Sequence, residues 1–379
     1  MNQENKPIRV AQIMGDMSNG GVRSLVLNFY KHIDKTKFQF DFIVNENSRN
    51  IAEEEILAMG GRVYKIPTYK HFFSYKKALR RLFRENHYQI VHSRVNSLSV
   101  FPLQVAKQEK VPVRIADSLS SSNPSEVLRN TIKFGLKLFS KKYPTDLTSC
   151  SSEAAVWLFG KKAVKQQRVT VIPPAIETRR FAFSDSSRNE IRSSLGIPKD
   201  AWVVGNIGRL VKQKNQSYLI RAFAQILRER PNSYLLFVSK GPLEESLRSL
   251  SNKLGLGSHV IFTDTNTGTA PYYSAMDCFA LPSLYEGFAI VLIEAQANGL
   301  PCIISEPVPK EADLTSLISR LPISNRDLLE WSSAMATPKP RLDSTEAIAS
   351  LEQQGYDVSK EARALEKYYE DCLSKSAKH

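Results

Sequence analysis

The chain has 379 residues, which is long for one hydrophobic core and comfortable for two, and its 42% apolar and 24% charged residues are ordinary globular values. Its four cysteines have no paired spacing, which argues against a zinc site or a disulfide framework and fits a reducing cytoplasm. No apolar run approaches the ~18 residues of a membrane span and no apolar segment follows a basic start, so we expect neither secretion nor membrane spanning.

The net charge of +14 is concentrated in one region. Residues 61–145 hold 17 Lys and Arg against 4 Asp and Glu, a local balance of +13, which indicates an anionic partner such as nucleic acid or an acidic membrane surface. Within it, residues 131–142 have helical spacing, with lysines on one face and apolar residues on another: Lys133, Lys137, Lys141, then Ile132, Leu136, Phe139. Such a helix suits a bilayer interface, and it equally suits a core helix with a solvated lysine face.

The first half of the chain alternates between apolar strands and amphipathic helices. A buried strand at 8–13 precedes Ser18–Gly21 and a helix at 22–33. Further strands are predicted at 38–44, 63–66, 90–91, 113–116, 147–150 and 169–172, with helices at 52–59, 75–84 and 100–107. This alternation is typical of a doubly wound parallel sheet.

A second alternation follows a connector. Pro173-Pro174 and the polar stretch 183–199 separate the two halves. Strands are then predicted at 202–207, 234–238, 260–263, 278–281 and 302–305, and a terminal helix at 358–376. The fold class is therefore α/β with two such domains.

Two acids eight positions apart, Glu286 and Glu294, lie in the most informative stretch, residues 281–300. An apolar strand ends where this stretch begins, Gly287 permits a tight turn, and an apolar helix ends at Gly299. Open α/β sheets bind ligands at such strand ends, and helix amino termini attract anions. Carboxylates would repel a phosphate that touched them, so they suit neutral hydroxyls of the same ligand. A hydroxyl-rich ligand that carries phosphate is a nucleotide sugar.

The same stretch resembles the Glu-x7-Glu signature of retaining family-4-type glycosyltransferases, which have the GT-B fold, and the resemblance extends over nearly the whole chain. It is nearest to the bacterial exopolysaccharide and capsule branch. The resemblance implies two doubly wound Rossmann-like domains that face each other across a cleft. We expect an acceptor domain at 1–182, a nucleotide-sugar domain at 183–357, and a helix at 358–379 that crosses back to the first domain.

The resemblance also implies how the leaving group is held. Departure of a nucleoside diphosphate requires a metal or fixed cations to neutralise the growing charge. Gly208-Arg-Leu-Val-Lys-Gln-Lys-Asn215 matches the family element whose Arg and Lys grip the diphosphate, so Arg209 and Lys214 are expected to replace a metal. No suitably placed Asp-x-Asp motif is present, and we predict neither a metal nor a cofactor.

Other donor contacts are carried over from the same family. Glu286 is expected to face the hydroxyls of the transferred sugar, and Glu294 those of the ribose. The backbone after Glu286 is expected to lie over the sugar phosphate. Glycine-containing turns are expected near the donor in both domains. These backbone and turn positions are Gly287, Phe288 and Ala289, then Gly20 and Gly21, then Gly241 and Pro242.

The chain departs from the family pattern on the acceptor side. Asp117 and Leu119 occupy positions where relatives have histidines, and Arg94 stands where a histidine is common after His92. Asp117 is a catalytic candidate that either orients the acceptor, steadies an oxocarbenium-like charge or marks a weakened enzyme. His92 and Arg94 are acceptor-binding candidates, although His92 is equally a plain core histidine. Lys240 replaces an acid near the base.

A further departure is in the base-binding loop 264–268. The arginine that relatives often have there is absent from this chain.

The leading hypothesis is a cytoplasmic, peripherally membrane-bound retaining glycosyltransferase. It would move a sugar from a nucleoside-diphosphate donor, most simply a UDP-sugar, to a polyprenyl-linked glycan, with region 61–145 against the membrane. In the family's front-face mechanism the leaving phosphate takes the acceptor's proton, so no protein base is required. The alternative is a catalytically weakened nucleotide-sugar-binding partner of a glycosyltransferase pair. Nucleic-acid binding is disfavoured, because the basic region lacks interleaved aromatics and any recognition motif.

Overall fold

The computed structural model describes residues 6–18, 21–119, 135–265 and 268–378. Contacts divide the chain into two compact units. The first comprises Met1–Ala175 together with Val358–His379, and the second comprises Ile176–Asp357. Each unit is an α/β layer structure built on one parallel sheet.

The first unit contains a seven-stranded parallel sheet in the order β3-β2-β1-β4-β5-β6-β7. Its strands are β1 (Ile8–Gly15), β2 (Phe38–Asn45), β3 (Arg62–Ile66), β4 (Ile90–Ser93), β5 (Val113–Ser118), β6 (Asp146–Ser149) and β7 (Val169–Val171). The central strands are buried on both faces, as expected for a parallel sheet covered by helices on each side. The strand order reverses between β1 and β4, which is the usual ligand position in such folds.

Helices cover both faces of this sheet. Within the described residues they are α1 (Gly21–His32), α2 (Glu53–Ala58), α3 (Phe72–Asn86), α4 (Val100–Gln108), α5 (Ser152–Phe159) and α6 (Lys161–Lys165). Helix α3 shows how the sequence determines the packing. Tyr75, Leu79, Leu82 and Phe83 recur at three- and four-residue spacing and are buried, while its basic residues lie on the other side.

The second unit contains a six-stranded parallel sheet in the order β10-β9-β8-β11-β12-β13. Its strands are β8 (Trp202–Ile207), β9 (Ser233–Val238), β10 (Val260–Thr263), β11 (Cys278–Leu281), β12 (Cys302–Ser305) and β13 (Ile318–Leu321). The order reverses between β8 and β11. The carboxyl ends of these two strands therefore border the expected ligand position of this unit.

The α-helices that the structure describes in the second unit number seven, and side chains cap the first and the last of them. They are α7 (Asp185–Ser194), α8 (Gln216–Glu229), α9 (Glu244–Lys253), α10 (Ala270–Ala275), α11 (Ile290–Ala297), α12 (Leu328–Ala336) and α13 (Ser344–Gln353). The Ser184 hydroxyl accepts a hydrogen bond from the Ser187 N–H at the start of α7, and the Asp343 carboxylate accepts one from Thr345 N–H at the start of α13.

The terminal helix, α14 (Val358–Ser376), belongs to the first unit. The Tyr369 ring packs against Phe38 and Phe40 of β2, and the Glu366 carboxylate accepts a hydrogen bond from Asp34 N–H at 2.7 Å. The contact boundary between Ala175 and Ile176 precedes the predicted boundary at 182, because residues 176–182 pack with the second unit.

Those packing contacts are specific. Ile176 forms a bridge with Asp357, and the Phe181 ring lies 5.9 Å from that of Tyr273.

The predicted helix at 131–142 differs from the structure in its described part. Residues 135–137 are helical and the chain then continues in tight turns. Lys137 lies over the Trp157 ring at 5.5 Å and the Lys141 ammonium donates to the Phe159 carbonyl at 3.0 Å, so both lysines face α5. Leu138 is 80% exposed and Phe139 is 47% exposed. Of the predicted apolar face, Phe139 is thus exposed and Leu136 half-buried, Lys141 of the lysine face is exposed, and residues 131–134 lie outside the described ranges.

Within the described ranges, each helix is too short or too polar to cross a lipid bilayer.

Candidate active site

The loops that follow β8 and β11 carry the main candidate residues of the second unit. Strand β8 ends at Ile207 and leads into Gly208 and Arg209, and β11 ends at Leu281 and leads towards Glu286. The two strands are hydrogen-bonded neighbours in the sheet. Both loops therefore begin at the carboxyl edge where the strand order reverses, as the sequence predicted for a ligand site.

Gly208 allows the first loop to fold back over itself. Its φ is +150°, and a Cβ atom there would lie 3.4 Å from the Lys214 Cε atom. A short 3-10 turn, Lys212–Lys214, follows, and Asn215 with φ 54° ends it before α8. The Lys214 side chain is consequently directed back across Gly208 to the strand end.

Lys214 and Glu286 form an ion pair. The Lys214 Nζ atom lies 2.7 Å from Glu286 Oε1, with the two side chains only 15% and 5% exposed. An ammonium group has three N–H donors, so one can bind Glu286 while the others remain suited to phosphate oxygens. The arrangement brings a cation and a hydroxyl acceptor together, which is what a phosphorylated sugar requires.

Gln213 joins the two loops. Its side-chain Nε2 group donates to the Tyr285 carbonyl at 3.0 Å and to Glu286 Oε2 at 3.4 Å. Its backbone carbonyl accepts a hydrogen bond from Leu284 N–H at 2.8 Å. These hydrogen bonds fix the position and orientation of the Glu286 side chain. Gln213 lies within the Gly208–Asn215 element, where the family resemblance implied roles for Arg209 and Lys214 alone.

Arg209 is exposed at the same strand end. Its carbonyl accepts a hydrogen bond from Gln216 Nε2 at 3.1 Å, which ties the backbone to α8 and leaves the guanidinium in solvent. An exposed guanidinium beside a strand end is available for a phosphate group. Its predicted grip on the diphosphate stays a prediction.

The turn after β9 packs closely on the same loop. A Cβ atom on Gly241 would lie 2.4 Å from the Leu210 carbonyl oxygen, so only glycine fits there. Leu210 N–H donates to the Lys240 carbonyl, and Leu243 N–H donates to the Leu210 carbonyl, each at 3.2 Å. Gly241 and Pro242 thereby support the backbone next to Arg209.

Lys240 makes its own ion pair in this region. Its ammonium lies 3.0 Å from the Asp264 carboxylate, and both side chains are largely exposed. The pairing lowers the pKa of Asp264, chiefly through the direct hydrogen bond. The positive residue that replaces the family's acid is thus neutralised locally by Asp264.

Gly287, Phe288 and Ala289 form the entry to helix α11. The Phe288 ring packs against the Tyr356 ring in a tilted arrangement, with the ring centroids 5.9 Å apart, and Ala289 is buried. Ile290 N–H donates to the Phe288 carbonyl at 3.2 Å. The helix amino terminus lies directly after Glu286, in the position from which backbone N–H groups attract anions.

Glu294 lies one turn into α11 and is partly buried. The hydroxyls of Tyr273 and Thr269 both donate to Glu294 Oε2, at 2.7 Å and 3.2 Å. Burial raises the pKa of Glu294 to about 7, and the two hydroxyl bonds and the Arg180 charge only partly oppose this. Glu294 therefore changes protonation near neutral pH.

The first-unit candidates His92, Arg94 and Asp117 lie in one buried polar network. Asp117 and Arg94 form an ion pair, and Arg94 Nε also donates to Gln12 Oε1 at 3.2 Å. All of these side chains are at most 5% exposed. A buried charge needs such a partner, since desolvation of either ion alone is costly.

A hydrogen-bond chain continues this network to the terminal helix. Gln12 Nε2 donates to the Tyr369 hydroxyl at 3.2 Å, which lies 2.9 Å from His92 Nδ1, and His92 Nε2 lies 3.2 Å from the Thr148 hydroxyl. Burial, with a smaller contribution from the Arg94 charge, lowers the pKa of His92 well below its usual value. His92 is thus neutral, with one ring nitrogen accepting and the other donating. No sequence pattern indicated a role for Gln12, Thr148 or Tyr369.

The remaining residues that the sequence singled out are Gly20, Gly21 and Leu119. Gly21 is the first residue of α1, while Gly20 lies outside the described residues. Leu119 is buried and its N–H donates to the Asn96 side chain at 2.8 Å.

In the described part of the chain, no group of three or more His, Cys, Asp or Glu side chains is arranged to hold a metal.

Comparison with known proteins gives consistent results. Residues 187–315 match the family described as Glycosyl transferases group 1. The chain is 30% identical over 382 residues to EpsF of Bacillus subtilis (strain 168), which is assigned as a glycosyltransferase, with 97% of each chain covered. It is 24% identical over 317 residues to an Escherichia coli UDP-Gal:alpha-D-GlcNAc-diphosphoundecaprenol alpha-1,3-galactosyltransferase, covering 80% of this chain and 81% of that one.

Solved structures show the same fold. Anabaena Alr3699/HepE, crystallised with UDP-glucose, superimposes with a TM-score of 0.79 at 15% identity, covering 96% of this chain and all of that one. WaaG, a glycosyltransferase involved in lipopolysaccharide biosynthesis, gives a TM-score of 0.69 at 15% identity, over 95% of this chain and 99% of that one. Both likenesses support the predicted GT-B class of two parallel-sheet Rossmann-like domains.

These matches favour an enzyme over the alternative of a non-catalytic partner subunit. The EpsF relationship extends along nearly the full length of both proteins and so covers both α/β units. The chain belongs to the group 1 glycosyltransferases.

Proposed function

We propose that this glycosyltransferase moves a sugar with retention of configuration from a UDP-sugar to a polyprenyl-linked glycan during exopolysaccharide or capsule synthesis. The observation that carries the proposal is the meeting of Lys214 and Glu286 at the ends of β8 and β11, 2.7 Å apart. Lys214 and Arg209 stabilise the departing diphosphate, because fixed cations can replace a metal there. Glu286 binds hydroxyls of the transferred sugar, and Glu294 those of the ribose.

The donor and acceptor classes draw support from relatives. The Escherichia coli relative is named for a UDP-galactose donor and a diphosphoundecaprenol-linked acceptor. The connection to exopolysaccharide or capsule synthesis rests on the sequence resemblance to that branch of the family. In the retaining reaction the bond from the sugar C1 to the diphosphate oxygen breaks, and the acceptor oxygen bonds to C1 on the same face. The acceptor's proton passes to the leaving phosphate, so the chain needs no dedicated base.

We propose further that the first unit docks on the cytoplasmic face of the membrane, through a stripe on α3. Phe73 is 85% exposed, and Lys77 and Arg81 follow at four-residue spacing on the same exposed face. An exposed aromatic ring with neighbouring cations suits anionic lipid headgroups. Arg81 also lies 3.9 Å from the exposed Glu85 carboxylate, and the neighbouring Arg80 and Arg84 pair with the less exposed Glu109, at 3.2 Å and 2.6 Å.

Transfer assays test the enzymatic proposal. Purified protein is incubated with UDP-sugars and a polyprenyl-diphosphate-linked sugar, and the product's anomeric configuration is read by NMR. We expect transfer with the donor's configuration kept. Inversion would contradict the mechanism, and absence of UDP release with every UDP-sugar would contradict the donor class.

Vesicle cosedimentation tests the membrane proposal. We expect binding to vesicles that contain phosphatidylglycerol, weak binding to pure phosphatidylcholine, and loss of binding in Phe73→Ser combined with Lys77→Gln. The matched control is Arg84→Gln, whose cation is already paired. Equal binding by the double variant and the wild type would contradict docking through α3.

A further inference from the structure

Arg180 is a basic residue without a predicted role, and its charge acts on Glu294 of the predicted ribose site. It belongs to the 3-10 turn Thr178–Phe181 of the second unit. The turn is well fixed. The Thr178 hydroxyl donates to Asp357 at 3.1 Å, and Asn298 Nδ2 donates to the Phe181 carbonyl at 2.8 Å. The Arg180 side chain is nevertheless 48% exposed, so a fixed backbone turn carries an accessible guanidinium.

The guanidinium occupies space that a glycine leaves open. Gly268 has φ +91°, and a Cβ atom there would lie 3.0 Å from Arg180 Nη2. The other amino group, Nη1, lies 4.0 Å from Glu177, which is too long for a strong hydrogen bond. Arg180 therefore lies against the backbone at the end of loop 264–268, the loop in which the chain lacks the family's arginine.

The same guanidinium acts on Glu294. Glu294 Oε2 already accepts from Tyr273 and Thr269. In the part of the chain that the structure describes, Oε1 receives no hydrogen bond, and it is the oxygen left for a ligand hydroxyl. The groups that face Glu294 are Tyr273 of α10, Thr269 just before α10 and Arg180, whose positive charge favours the ionised carboxylate.

We propose that Arg180 is a donor-binding residue that contacts the nucleoside of the bound donor beside Glu294. The inference rests on the proposed function and extends it to the nucleoside end of the donor. A guanidinium offers N–H donors to a base carbonyl or a ribose oxygen, while the adjacent carboxylate accepts ribose hydroxyls. The pair recognises a neutral, hydroxyl-bearing nucleoside, whereas Lys214 and Arg209 serve the phosphates.

The test measures binding of UDP and of inorganic pyrophosphate by calorimetry from pH 6 to pH 8.5. Arg180→Gln should weaken UDP binding about tenfold at pH 7.5, the size expected for one charge-assisted hydrogen bond. It should also move the pH at which UDP affinity is half lost to a higher value, and Arg180→Lys should restore that pH. Pyrophosphate binding should stay unchanged.

Arg179→Gln is the matched control, because Arg179 is the adjacent arginine, 85% exposed and 3.5 Å from Glu352. It should bind UDP as the wild type does. Wild-type UDP affinity for Arg180→Gln at every pH, or an equal loss of pyrophosphate binding, would overturn the inference alone. Failure of the wild-type protein itself to bind UDP would overturn the proposed function and this inference with it.

Discussion

Both α/β units place polar side chains where the strand order reverses. The two clusters differ in how many of their polar groups already have hydrogen-bond or ion-pair partners within the protein. In the first unit, Arg94, Asp117 and His92 are buried and bonded to one another or to neighbouring side chains. In the second unit, Lys214 is paired yet keeps spare donors, and Arg209 is exposed. At the same position in two similar sheets, the polar groups of the first unit therefore bind one another, whereas those of the second unit keep hydrogen-bond donors for a ligand.

The difference follows from the cost of burying charge. Arg94 and Asp117 lose nearly all of their hydration, so each depends on the other as its partner. Lys214 keeps 15% exposure, and the adjacent Arg209 remains in solvent. We propose that the first cluster mainly stabilises its unit, whereas the second is equipped for binding, and the substitutions below test that division.

The largest effect is expected on activity, from loss of the second cluster. Lys214→Ala and Glu286→Ala should each lower kcat by about 100-fold or more, because a fixed charge aimed at the transition state is removed. Steady-state transfer assays measure this, with melting temperature as the check on folding. Lys212→Ala, in the same turn but exposed, is the control and should retain activity. Wild-type turnover by either site variant would contradict these roles.

The first cluster should respond through stability. Arg94→Ala should reduce the free energy of unfolding by about 3–5 kcal/mol, since it leaves the Asp117 carboxylate buried without its cation. Urea denaturation measures the loss, and Arg94→Leu with Asp117→Leu should recover much of it. The exposed Arg81→Ala should change stability by less than about 0.5 kcal/mol. A small effect of Arg94→Ala would show that the pair is not a stability element.

A pH-dependent effect is expected at Glu294. Its pKa is about 7 in the folded state against 4.5 ordinarily, so the folded state favours the neutral acid. The resulting stability is fully present below pH 4.5 and is lost as pH rises through 7, up to about 3 kcal/mol. Glu294→Gln should therefore gain in melting temperature relative to the wild type between pH 5 and pH 8.5. A difference independent of pH would contradict the raised pKa.

The smallest effect is expected from Tyr369→Phe. The change removes the hydroxyl that lies between Gln12 and His92 and leaves the ring packed on β2. The expected loss is about 1–2 kcal/mol of unfolding free energy, the usual cost of unsatisfied buried partners. Urea denaturation measures it, and a change in kcat without any loss of stability would instead place the network in catalysis.

Some of this arrangement is predictable from sequence, because local patterns carry it. Alternating apolar strands and helices predicted both sheets apart from β13, and the family resemblance at Gly208–Asn215 and at Glu286 and Glu294 implied the candidate donor groups. These residues lie in the loops after β8 and β11 or in the helix that follows β11, so their position in the fold depends on short-range order.

Other features depend on contacts between distant segments. Tyr369 meets His92 from 277 positions away, and Arg94 meets Asp117 from a different strand. The periodicity of apolar residues in the sequence does not indicate such long-range pairs. Similarly, Lys137 and Lys141 face α5 because the chain leaves the helical path after residue 137, which helical spacing alone could not indicate.

Hydrogen–deuterium exchange with and without saturating UDP tests the division between the two clusters most directly. We expect slower exchange in peptides that cover residues 208–215 and 284–294, and unchanged exchange at 90–95 and 115–118. Protection confined to the strand ends around His92 and Asp117, with residues 208–215 and 284–294 unaffected, would contradict the assignment of the donor to the second unit.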